Sequence, residues 1–494
     1  MDSLKEIVRE AIEDVEREAE AREPKRGSKK VGKEKQRPKR QVSFLVVGDC
    51  LYEQVFEERS FHQFLGYNTK TEEIRRVTHL EFGGEIIEPL GGEDVELGAV
   101  KLPSGVLEYG DILSLLAEIE DCIYRYLDIS DNYRKFAAYY ILLSWLYDRF
   151  HTIPYLRALG DSGCGKSRFL DVIGGLCYKP ISASGCVTPA PIYRMLRKWG
   201  GTLVLDEADM KNSDEYNEVI TILNCGFERG RPVIRATKDN PDKVQILPVY
   251  GPKVFATRRR FKDAALEARC LTEVMQETTR EDIPPVLGCK FHEEQQKLRN
   301  KLLLFRFRNY SAVDPEAAAG LRLEGIEPRL RQVSEAFASL FVNEPAVLKD
   351  YCEFIRGHQR ELVEQRAATR TGQVVEILFE ALSTVPFVPN VPLVPGEQKL
   401  LPVSAGEVAE RVGLTPQAVG QILKGLGLKT RNTRNFGERR RCVVYDEAKF
   451  ETLRRRYIPP DDDGTSGTNG TSLMGDSEIV PERVIKNEFD DIPF

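Results

Sequence analysis

Hydrophobic positions along the chain follow either the short runs typical of strands or the three-to-four-residue spacing typical of helices. The change from one pattern to the other predicts where each element lies. From 42 to 110, short apolar runs between Gly, Pro, Asn and Asp favour strands at SFLVV, QFLGY, RRVTHLEF, EIIEPL and AVKLP. Apolar residues then recur at helical spacing over about 111–127 and 131–150. From 153 to 275, strand and helix patterns alternate, which predicts a mostly parallel sheet covered by helices.

The rest of the chain is mainly helical until a proline-rich connector leads to a small basic region. The clearest helices are EEQQKLRNKLLLFRF and PAVLKDYCEFIRGHQRELVEQ. The predicted division is a helix and basic arm at 1–41, a β-rich domain at 42–110, a helical connector at 111–152, an α/β core at 153–275, a helical region at 276–382, a linker and small basic domain at 383–458, and an acidic tail at 459–494.

The amino-acid composition indicates which broad class of protein this chain belongs to. A hydrophobic fraction of 41% and a charged fraction of 30% are typical of a soluble globular protein. No apolar run reaches the ~20 residues that span a bilayer, and the amino terminus is acidic, so we expect a cytoplasmic protein without membrane contact. The ten cysteines include no C-x-x-C pair. We therefore expect reduced, packing cysteines rather than disulfides or zinc.

The net charge of −6 conceals a separation of charge along the chain. Residues 1–23 have the spacing of an amphipathic helix, which either is solvated, self-associates or binds a partner. Residues 25–40 contain nine bases and one acid, too polar to bury a core. This flexible arm either contacts nucleic acid or only keeps the chain in solution.

One segment has the pattern of a phosphate-binding loop. GDSGCGKS fits G-x-x-x-x-G-K-[ST] between a strand, YLRAL, and a helical pattern. Its residues are Gly160, Asp161, Ser162, Gly163, Cys164, Gly165, Lys166 and Ser167. Glycines let backbone N–H groups surround phosphates, the lysine neutralises them, and the serine hydroxyl is a Mg²⁺ ligand. We expect ATP and Mg²⁺ to bind here; the alternative is a glycine-rich turn with a chance lysine.

Two later strands bring further candidates. GGTLVLDEAD is an apolar strand that delivers Asp206 and Glu207 at its end, where α/β sheets place ligands. Asp206 is the expected outer Mg²⁺ ligand and Glu207 the residue that polarises the attacking water, although an isolated pair would be surface charge. The strand in GPKVFATRRRF ends at Thr257. Beyond it, Arg269 is a candidate arginine finger or an ordinary salt-bridge residue.

These motifs resemble the AAA+ and superfamily 3 helicase-like ATPases encoded by viruses, plasmids and integrated elements. The resemblance runs from about Asn132 to Met275. It implies a ring, expected to be a hexamer, around single-stranded DNA, with Thr257 orienting the lytic water. It also implies a pore hairpin, RPVIRATKDNPDKVQILPVY, whose tip Lys238 and Lys243 would flank; a solvated turn is the alternative. The family commonly has Asn after the sensor Thr, where this chain has Arg258.

The basic region before 459 resembles a winged helix. SAGEVAERVG and TPQAVGQILKGLG predict two short helices, and the following basic hairpin predicts a wing. Such a helix can lie in a major groove of duplex DNA, and protein contacts are the alternative use. The candidate DNA-binding residues are Gln417, Gln421, Lys424, Arg434, Arg439, Arg440 and Arg441.

The last residues, NEFDDIPF, resemble the acidic tip of bacterial single-stranded-DNA-binding proteins. The candidate partner-binding residues are Asp490, Asp491, Ile492, Pro493 and Phe494. An aromatic anchor with a free carboxylate and flanking acids suits a basic groove on replication or repair proteins. Because the match is short, chance similarity is the alternative.

The sequence therefore predicts an α/β protein with an AAA+-like P-loop ATPase core, an amino-terminal β-rich domain, a helical region and a carboxyl-terminal winged helix. The predicted function is an ATP-driven replicative DNA helicase of a mobile element or virus that recruits replication proteins through its tip. The alternative is an ATP-switched DNA-binding loader or regulator that does not unwind DNA.

Overall fold

The computed structural model describes most of the chain as two compact units. The described residues are 37–57, 60–183, 188–206, 214–236, 243–318, 326–383, 400–435 and 438–459. The first unit comprises Met1–Leu323 and Pro328–Phe354. The second comprises Glu324–Glu327 and Ile355–Phe494. The predicted amino-terminal helix, residues 25–36 of the basic arm and residues 460–494 of the tail lie outside the described residues. The prediction that the whole arm to residue 40 is flexible is wrong at its end, because Lys39–Val42 pair as a strand with Ile86–Pro89 and Lys39 binds Glu88 at 2.7 Å. No helix within these ranges has the length and apolar character needed to cross a membrane.

Seven short strands begin the first unit. They are β1 (Lys39–Val42), β2 (Phe44–Val47), β3 (Cys50–Glu57), β4 (Ser60–Asn68), β5 (Ile74–Val77), β6 (Leu80–Phe82) and β7 (Glu85–Pro89). Strands β2 to β5 form an antiparallel sheet in chain order, and β1, β7 and β6 form a smaller sheet. The prediction of a strand-rich segment is thus confirmed, and these strands lie in the same compact unit as the α/β core.

Two details of this segment differ from the sequence prediction. The apolar runs do not predict β3, because Glu53 and Gln54 interrupt its pattern although both side chains are buried. Conversely, the predicted strand AVKLP is wrong. Val100 makes only an isolated antiparallel bridge to Ile181, because this segment runs along the edge of another sheet instead of pairing over its length.

Helices α1 (Glu93–Glu96), α2 (Ile112–Tyr126) and α3 (Asp131–Trp145) follow. The predictions of helices over about 111–127 and 131–150 are confirmed to within a few residues. Helix α3 is buried along most of its length, which explains its apolar sequence. Its Tyr140 hydroxyl donates to the Pro154 carbonyl at 3.0 Å and accepts from the Lys253 N–H at 3.1 Å. These bonds hold α3 against the two strands that begin nearby.

A five-stranded parallel sheet forms the centre of the first unit. Its elements are β8 (Tyr155–Leu159), α4 (Lys166–Val172), β9 (Ile181–Ala183), α5 (Pro189–Trp199), β10 (Leu203–Leu205), α6 (Asp214–Cys225), β13 (Lys253–Thr257), α7 (Ala264–Glu267) and β14 (Cys270–Val274). The strand order is β14-β8-β13-β10-β9, and all pairs are parallel. A separate hairpin, β11 (Val233–Ala236) and β12 (Val244–Leu247), precedes β13. The predicted parallel sheet is confirmed.

The remaining helices of the first unit follow the sheet. They are α8 (Cys289–Asn309), α9 (Pro328–Leu340) and the first part of α10 (Pro345–Ala367). Aromatic rings join α3 to these helices: Phe136 stacks on Phe354 with ring centroids 4.4 Å apart and lies 5.1 Å from Phe337. Aromatic packing of this kind stabilises a helical layer beyond its buried area.

A buried group of charges joins the amino-terminal strands to the rest of this unit. Glu53 of β3 lies 2.9 Å from the Lys179 ammonium and 2.6 Å from Nε of Arg306 on α8, and all three side chains are at most 2% exposed. Arg306 also contacts Asp148 at 2.8 Å. Burial lowers the pKa of Lys179, whereas Glu53 beside it favours the charged ammonium. The ion pairs of Glu53 with Lys179 and Arg306 therefore attach the amino-terminal strands to the rest of the first unit, and each charge needs its partner because it is buried.

The second unit is small and built around one apolar core. Its elements are the end of α10, α11 (Arg370–Ser383), β15 (Leu400–Ser404), α12 (Ala405–Val412), α13 (Pro416–Gly425), β16 (Thr430–Asn435), β17 (Glu438–Val444) and α14 (Glu447–Tyr457). The three strands form an antiparallel sheet in the order β15-β17-β16. The predicted pair of short helices, hairpin and last helix are confirmed as elements. The apolar pattern does not predict β15, nor that Val374 and Leu378 of α11 share this core.

The buried charges predict a stability test. Replacing Glu53→Gln leaves Lys179 without its counter-charge in a buried site, which costs about 3–5 kcal/mol. We expect the thermal unfolding midpoint to fall by at least about 5 °C, measured by scanning calorimetry. Glu118→Gln is the matched control, because Glu118 pairs with Lys301 at the surface and contributes less than about 1 kcal/mol. Equal midpoints for the two variants would contradict this account.

Candidate active site

The parallel sheet brings three predicted site segments to one edge. The loop 160–165 follows β8, Asp206 follows β10, and Thr257 ends β13. Strand β13 pairs with both β8 and β10. Because the carboxyl ends of parallel strands meet at the same edge of a sheet, Thr257 lies between the loop and Asp206.

Backbone geometry explains the glycines of the loop. Gly163 and Gly165 have φ values of 89° and 88°, in the left-handed region that residues with a side chain rarely adopt. Gly160 is restricted by space instead, because a Cβ there would lie 2.8 Å from the Met275 carbonyl oxygen. The loop can therefore close tightly over the end of β8 only with glycine at these positions.

The lysine of the motif lies against its own loop. Lys166 begins α4, and its side chain is buried with 8% exposure. Its ammonium donates to the Gly160 carbonyl at 2.8 Å and to the Asp161 carbonyl. The single positive charge of the loop is thus held at the place where the P-loop pattern expects phosphate oxygens.

The two predicted metal ligands are in contact. The Ser167 hydroxyl donates to Oδ2 of Asp206 at 3.0 Å, although the residues are 39 positions apart. Two oxygens bound at neighbouring corners of a Mg²⁺ octahedron lie about 2.9 Å apart, since each Mg²⁺–O distance is about 2.0–2.1 Å. The hydroxyl and carboxylate therefore suit Mg²⁺ by chemistry and by separation. The described residues contain no cluster of three or more His, Cys, Asp or Glu that could hold a metal by itself.

Thr257 has an unpaired buried hydroxyl. Its side chain is fully buried, and Oγ1 has no hydrogen-bond partner among the described residues. Its carbonyl accepts from the Gly160 N–H at 3.1 Å, which joins the end of β13 to the start of the loop. Buried unpaired hydroxyls are uncommon because they cost free energy, so this one is a candidate for binding water or substrate. Arg258 is exposed immediately after it.

Arg269 lies at the opposite edge of the sheet. Its carbonyl accepts from the N–H of Tyr155, which is the first residue of β8. The phosphate loop follows Leu159, the last residue of β8, and so lies at the other end of that strand. Its guanidinium donates to the side chain of Asn224 and lies 5.2 Å from the Phe227 ring centre. Arg269 therefore does not reach the phosphate loop of its own chain, and its role as a finger stays a prediction.

A buried ion pair fixes the short helix before Arg269. Arg157 of β8 donates to Glu267 at 2.6 Å, and Arg260 donates to it at 2.7 Å. Burial works to raise the pKa of Glu267, but hydrogen bonds from Arg157 and Arg260 outweigh it, and the net pKa is lowered. Glu267 therefore remains charged and anchors α7 to β8.

Several predicted site residues lie outside the described part of the chain. Glu207 follows Asp206 directly and belongs to the undescribed segment 207–213. Lys238 belongs to the undescribed segment 237–242, whereas Lys243 is exposed immediately before β12. The hairpin prediction itself is confirmed, with Ala236 paired to Val244. The terminal residues 490–494 are also outside the described ranges.

The structure brings the predicted DNA-binding residues of α13 together. Thr415 caps this helix by accepting from the Ala418 N–H at 3.2 Å, as the sequence predicts. The helix buries Val419 and Leu423, and the predicted residues Gln417, Gln421 and Lys424 are all exposed. Their separations of four and three residues place them on one face.

The basic residues of the hairpin do not form a single surface. Arg440 pairs with Glu407 at 2.9 Å, and Arg441 donates to the Thr430 hydroxyl at 2.7 Å. Because successive residues of a strand face opposite sides, these two arginines cannot contact the same groove. Arg434 and Arg439 are paired across the hairpin, and their side chains lie outside the described part.

A cavity that no sequence motif predicts lies beside the phosphate loop. It measures about 290 Å³, and its wall includes Gly163, Gly165, Met275 and Thr278. Arg168 of α4 closes one side by donating to the Pro284 and Pro285 carbonyls at 2.6 Å each. The Pro-Pro pair at 284–285 is the signal in the sequence, since it predicts a fixed turn but not that the turn packs near the loop.

No protein-family model and no curated protein matches this chain. Among solved structures, the apo form of the NrS-1 C-terminal region is 13% identical, with 80% of this chain and 97% of that one covered and a TM-score of 0.36. "SCCmec type IV Cch - active helicase" is 12% identical, with coverages of 84% and 80% and a TM-score of 0.38. A full-length MCM homologue from Methanopyrus kandleri is 12% identical, with coverages of 62% and 73% and a TM-score of 0.29. These are partial likenesses of fold.

Proposed function

We propose that this chain hydrolyses ATP and uses the energy to move on DNA as a ring-forming replicative helicase. The contact between the Ser167 hydroxyl and the Asp206 carboxylate supports this proposal most strongly, because it joins two Mg²⁺ ligands beside the lysine of a phosphate loop. In this proposal Lys166 neutralises the β and γ phosphates, and Ser167 and Asp206 hold the metal. When held by Ser167 and Asp206, Mg²⁺ would supply positive charge that offsets the negative charge developing during phosphoryl transfer.

The remaining groups of the proposed reaction act on water. Glu207 is adjacent to Asp206 and is the proposed residue that polarises the attacking water. Thr257 offers a hydroxyl with no partner among the described residues, next to the start of the loop. That hydroxyl can accept from or donate to a water and so fix its direction of attack.

The cavity beside the loop is the proposed place for the nucleotide's base and ribose. Its volume of about 290 Å³ is at the lower end of the range for small-ligand sites. Gly163 and Gly165 are shared between the cavity and the phosphate loop. One nucleotide can therefore extend from the cavity to the Lys166 ammonium.

A ring would give Arg269 its role. The residue lies at the sheet edge away from its own phosphate loop and is half-buried, so in a head-to-tail ring it can face the nucleotide of the neighbouring subunit. An arginine supplied in this way stabilises the charge of the transition state. We propose a hexamer.

The DNA contacts of the proposal involve both units. Lys238 and Lys243 on the hairpin would bind single-stranded DNA in the pore, while Gln417, Gln421 and Lys424 present one polar helix face suited to duplex DNA. The second unit would then act as a winged helix. The acidic tip would recruit replication or repair proteins.

A second candidate is a DNA-binding loader or regulator in which ATP switches assembly without unwinding. The presence of Arg258 favours this second candidate function. An arginine immediately after Thr257 replaces the asparagine of the resembling family, so it changes how the attacking water can be positioned and permits slower hydrolysis.

The first prediction concerns hydrolysis. Lys166→Ala removes the phosphate-neutralising charge, so we expect the steady-state rate of Mg²⁺-dependent ATP hydrolysis to fall at least about 100-fold. Lys262→Ala is the matched control, because Lys262 is an exposed lysine of the same unit and its loss should leave the rate unchanged. Unaltered hydrolysis by Lys166→Ala would exclude this loop as the site.

A second experiment separates the motor from the switch. The protein is incubated with a forked DNA duplex and ATP, and released single strand is measured by fluorescence. The motor proposal expects release that disappears in Lys166→Ala. Hydrolysis without release at saturating protein would contradict the motor and support the loader.

The third prediction tests Arg269 by subunit mixing. Arg269→Ala and Lys166→Ala should each be nearly inactive alone, the first for want of a finger and the second for want of a phosphate site. Mixed subunits should recover hydrolysis, because an intact site of one variant then meets the intact arginine of the other. Failure of all mixing ratios, with both variants folded by circular dichroism, would assign Arg269 to its contacts with Asn224 and Phe227.

A further inference from the structure

The second unit carries a groove with a strongly basic rim. The groove has a volume of about 680 Å³ and is formed by the end of α10 together with α11 and α14. Four arginines line it: Arg356 and Arg360 from α10, and Arg454 and Arg455 from α14. Arg356 and Arg360 are one helical turn apart and exposed, so both can reach the same ligand.

The positive charge of this groove is only partly compensated. Arg356 and Arg360 have no carboxylate within salt-bridge distance among the described residues. Two carboxylates also line the groove, but Glu380 already pairs with Arg411, which leaves Glu376. Arg455 pairs with Glu451 at 3.2 Å, so among the described residues Arg356, Arg360 and Arg454 stay outside salt bridges, against the single acid Glu376. This surplus of positive charge attracts an anionic ligand.

The floor of the groove is apolar. Ile326, Val363, Phe379 and Ile458 line it, with Phe379 and Ile458 half-exposed. The Gln359 side chain is also part of the lining, and its amide Nε2 is buried without a partner in the described ranges. The apolar floor, the basic rim and the unpaired Gln359 amide together suit a peptide that carries both acidic residues and an apolar side chain.

We propose that this groove binds the chain's own carboxyl-terminal segment, residues 487–494. The segment contains Glu488, two further acids at 490 and 491, and the aromatic Phe494. Its acids match the arginine rim, and Phe494 matches the apolar floor. The last described residue, Pro459, itself lines the groove, so the tail leaves the unit at the rim.

The length of the tail permits this docking. Thirty-five residues, 460–494, follow Pro459, and a flexible chain of that length has a root-mean-square extension of about 30–35 Å. Tethering through such a linker gives an effective concentration in the millimolar range. Even if the affinity of the groove for the tail is low, the tail of the same chain would therefore occupy the groove most of the time.

Charge selects this segment over two others that adjoin the groove. Undescribed segments also meet the lining at Ile326 and Ser383. Residues 319–325 carry one acid and one base, and residues 384–399 carry one acid and one base. Of these three segments, only 487–494 carries a surplus of negative charge. Docking would also shield Phe494 from outside proteins until the groove is released.

Photocrosslinking of the full chain tests the proposal. Benzoylphenylalanine is placed at Phe494, the protein is irradiated, and the crosslinked peptides are identified by mass spectrometry. We expect crosslinks to α11 or to the facing parts of α10 and α14, in a product of monomer mass. The yield should decrease as salt rises, because the rim is exposed to solvent.

Two arginines adjacent on α14 provide the matched variants. Arg455 lines the groove and Arg456 does not, while both are exposed. The double change Arg356→Glu with Arg455→Glu should lower the crosslink yield at least about tenfold. Arg456→Glu should leave the yield unchanged.

The alternative outcomes overturn the proposal in distinct ways. Crosslinks only in products of dimer mass would show that the groove takes the tail of a second copy. Crosslinks confined to other surfaces, or a yield indifferent to Arg356→Glu with Arg455→Glu, would show that the tail does not use the groove. None of these outcomes depends on ATP hydrolysis.

Discussion

The contact between Ser167 and Asp206 depends on the order of strands in the parallel sheet. The two residues belong to segments that follow β8 and β10, which are not neighbours, because β13 lies between them. Only parallel strands place all three carboxyl ends at one edge, so a hydroxyl, a carboxylate and the Thr257 side chain converge there. The proposed chemistry follows from this convergence: a metal held by two oxygens, a lysine for phosphates, and a buried hydroxyl beside them.

The surroundings of the sheet are held by buried charges whose loss would be costly. Arg157 on β8 anchors the helix before Arg269 through Glu267, and Glu53 joins the amino-terminal strands to Lys179 and Arg306. A buried pair contributes little net stability, but removing one member leaves an uncompensated charge. We infer that these pairs specify one arrangement of the elements around the site. The segment between 42 and 110, to which the sequence assigned no chemistry, is thereby part of the support of the core.

The sequence predicted the local features of the site better than the contacts around it. The phosphate loop follows from its pattern of glycines, lysine and serine. Strands β8, β10 and β13 follow from mainly apolar runs, which are typical of parallel strands buried on both faces. Strand β3 was missed because buried Glu53 and Gln54 imitate a surface pattern, and the pairing that explains them comes from distant residues. The grouping of α11 with the carboxyl-terminal core could not be predicted either, because its apolar face does not indicate which partner it covers. The sequence also does not show which partners the hairpin arginines have: Arg440 pairs with Glu407, and Arg441 donates to the Thr430 hydroxyl.

The central claim is that Ser167 and Asp206 together hold Mg²⁺ against a bound triphosphate. Calorimetric titration of ATP into the protein, with and without Mg²⁺, measures this most directly. We expect Mg²⁺ to strengthen ATP binding at least about tenfold, and we expect this gain to disappear in Asp206→Ala while the metal-free affinity stays within about twofold. An undiminished gain from Mg²⁺ in Asp206→Ala would contradict the account, because the metal would then be held without the carboxylate at the end of β10.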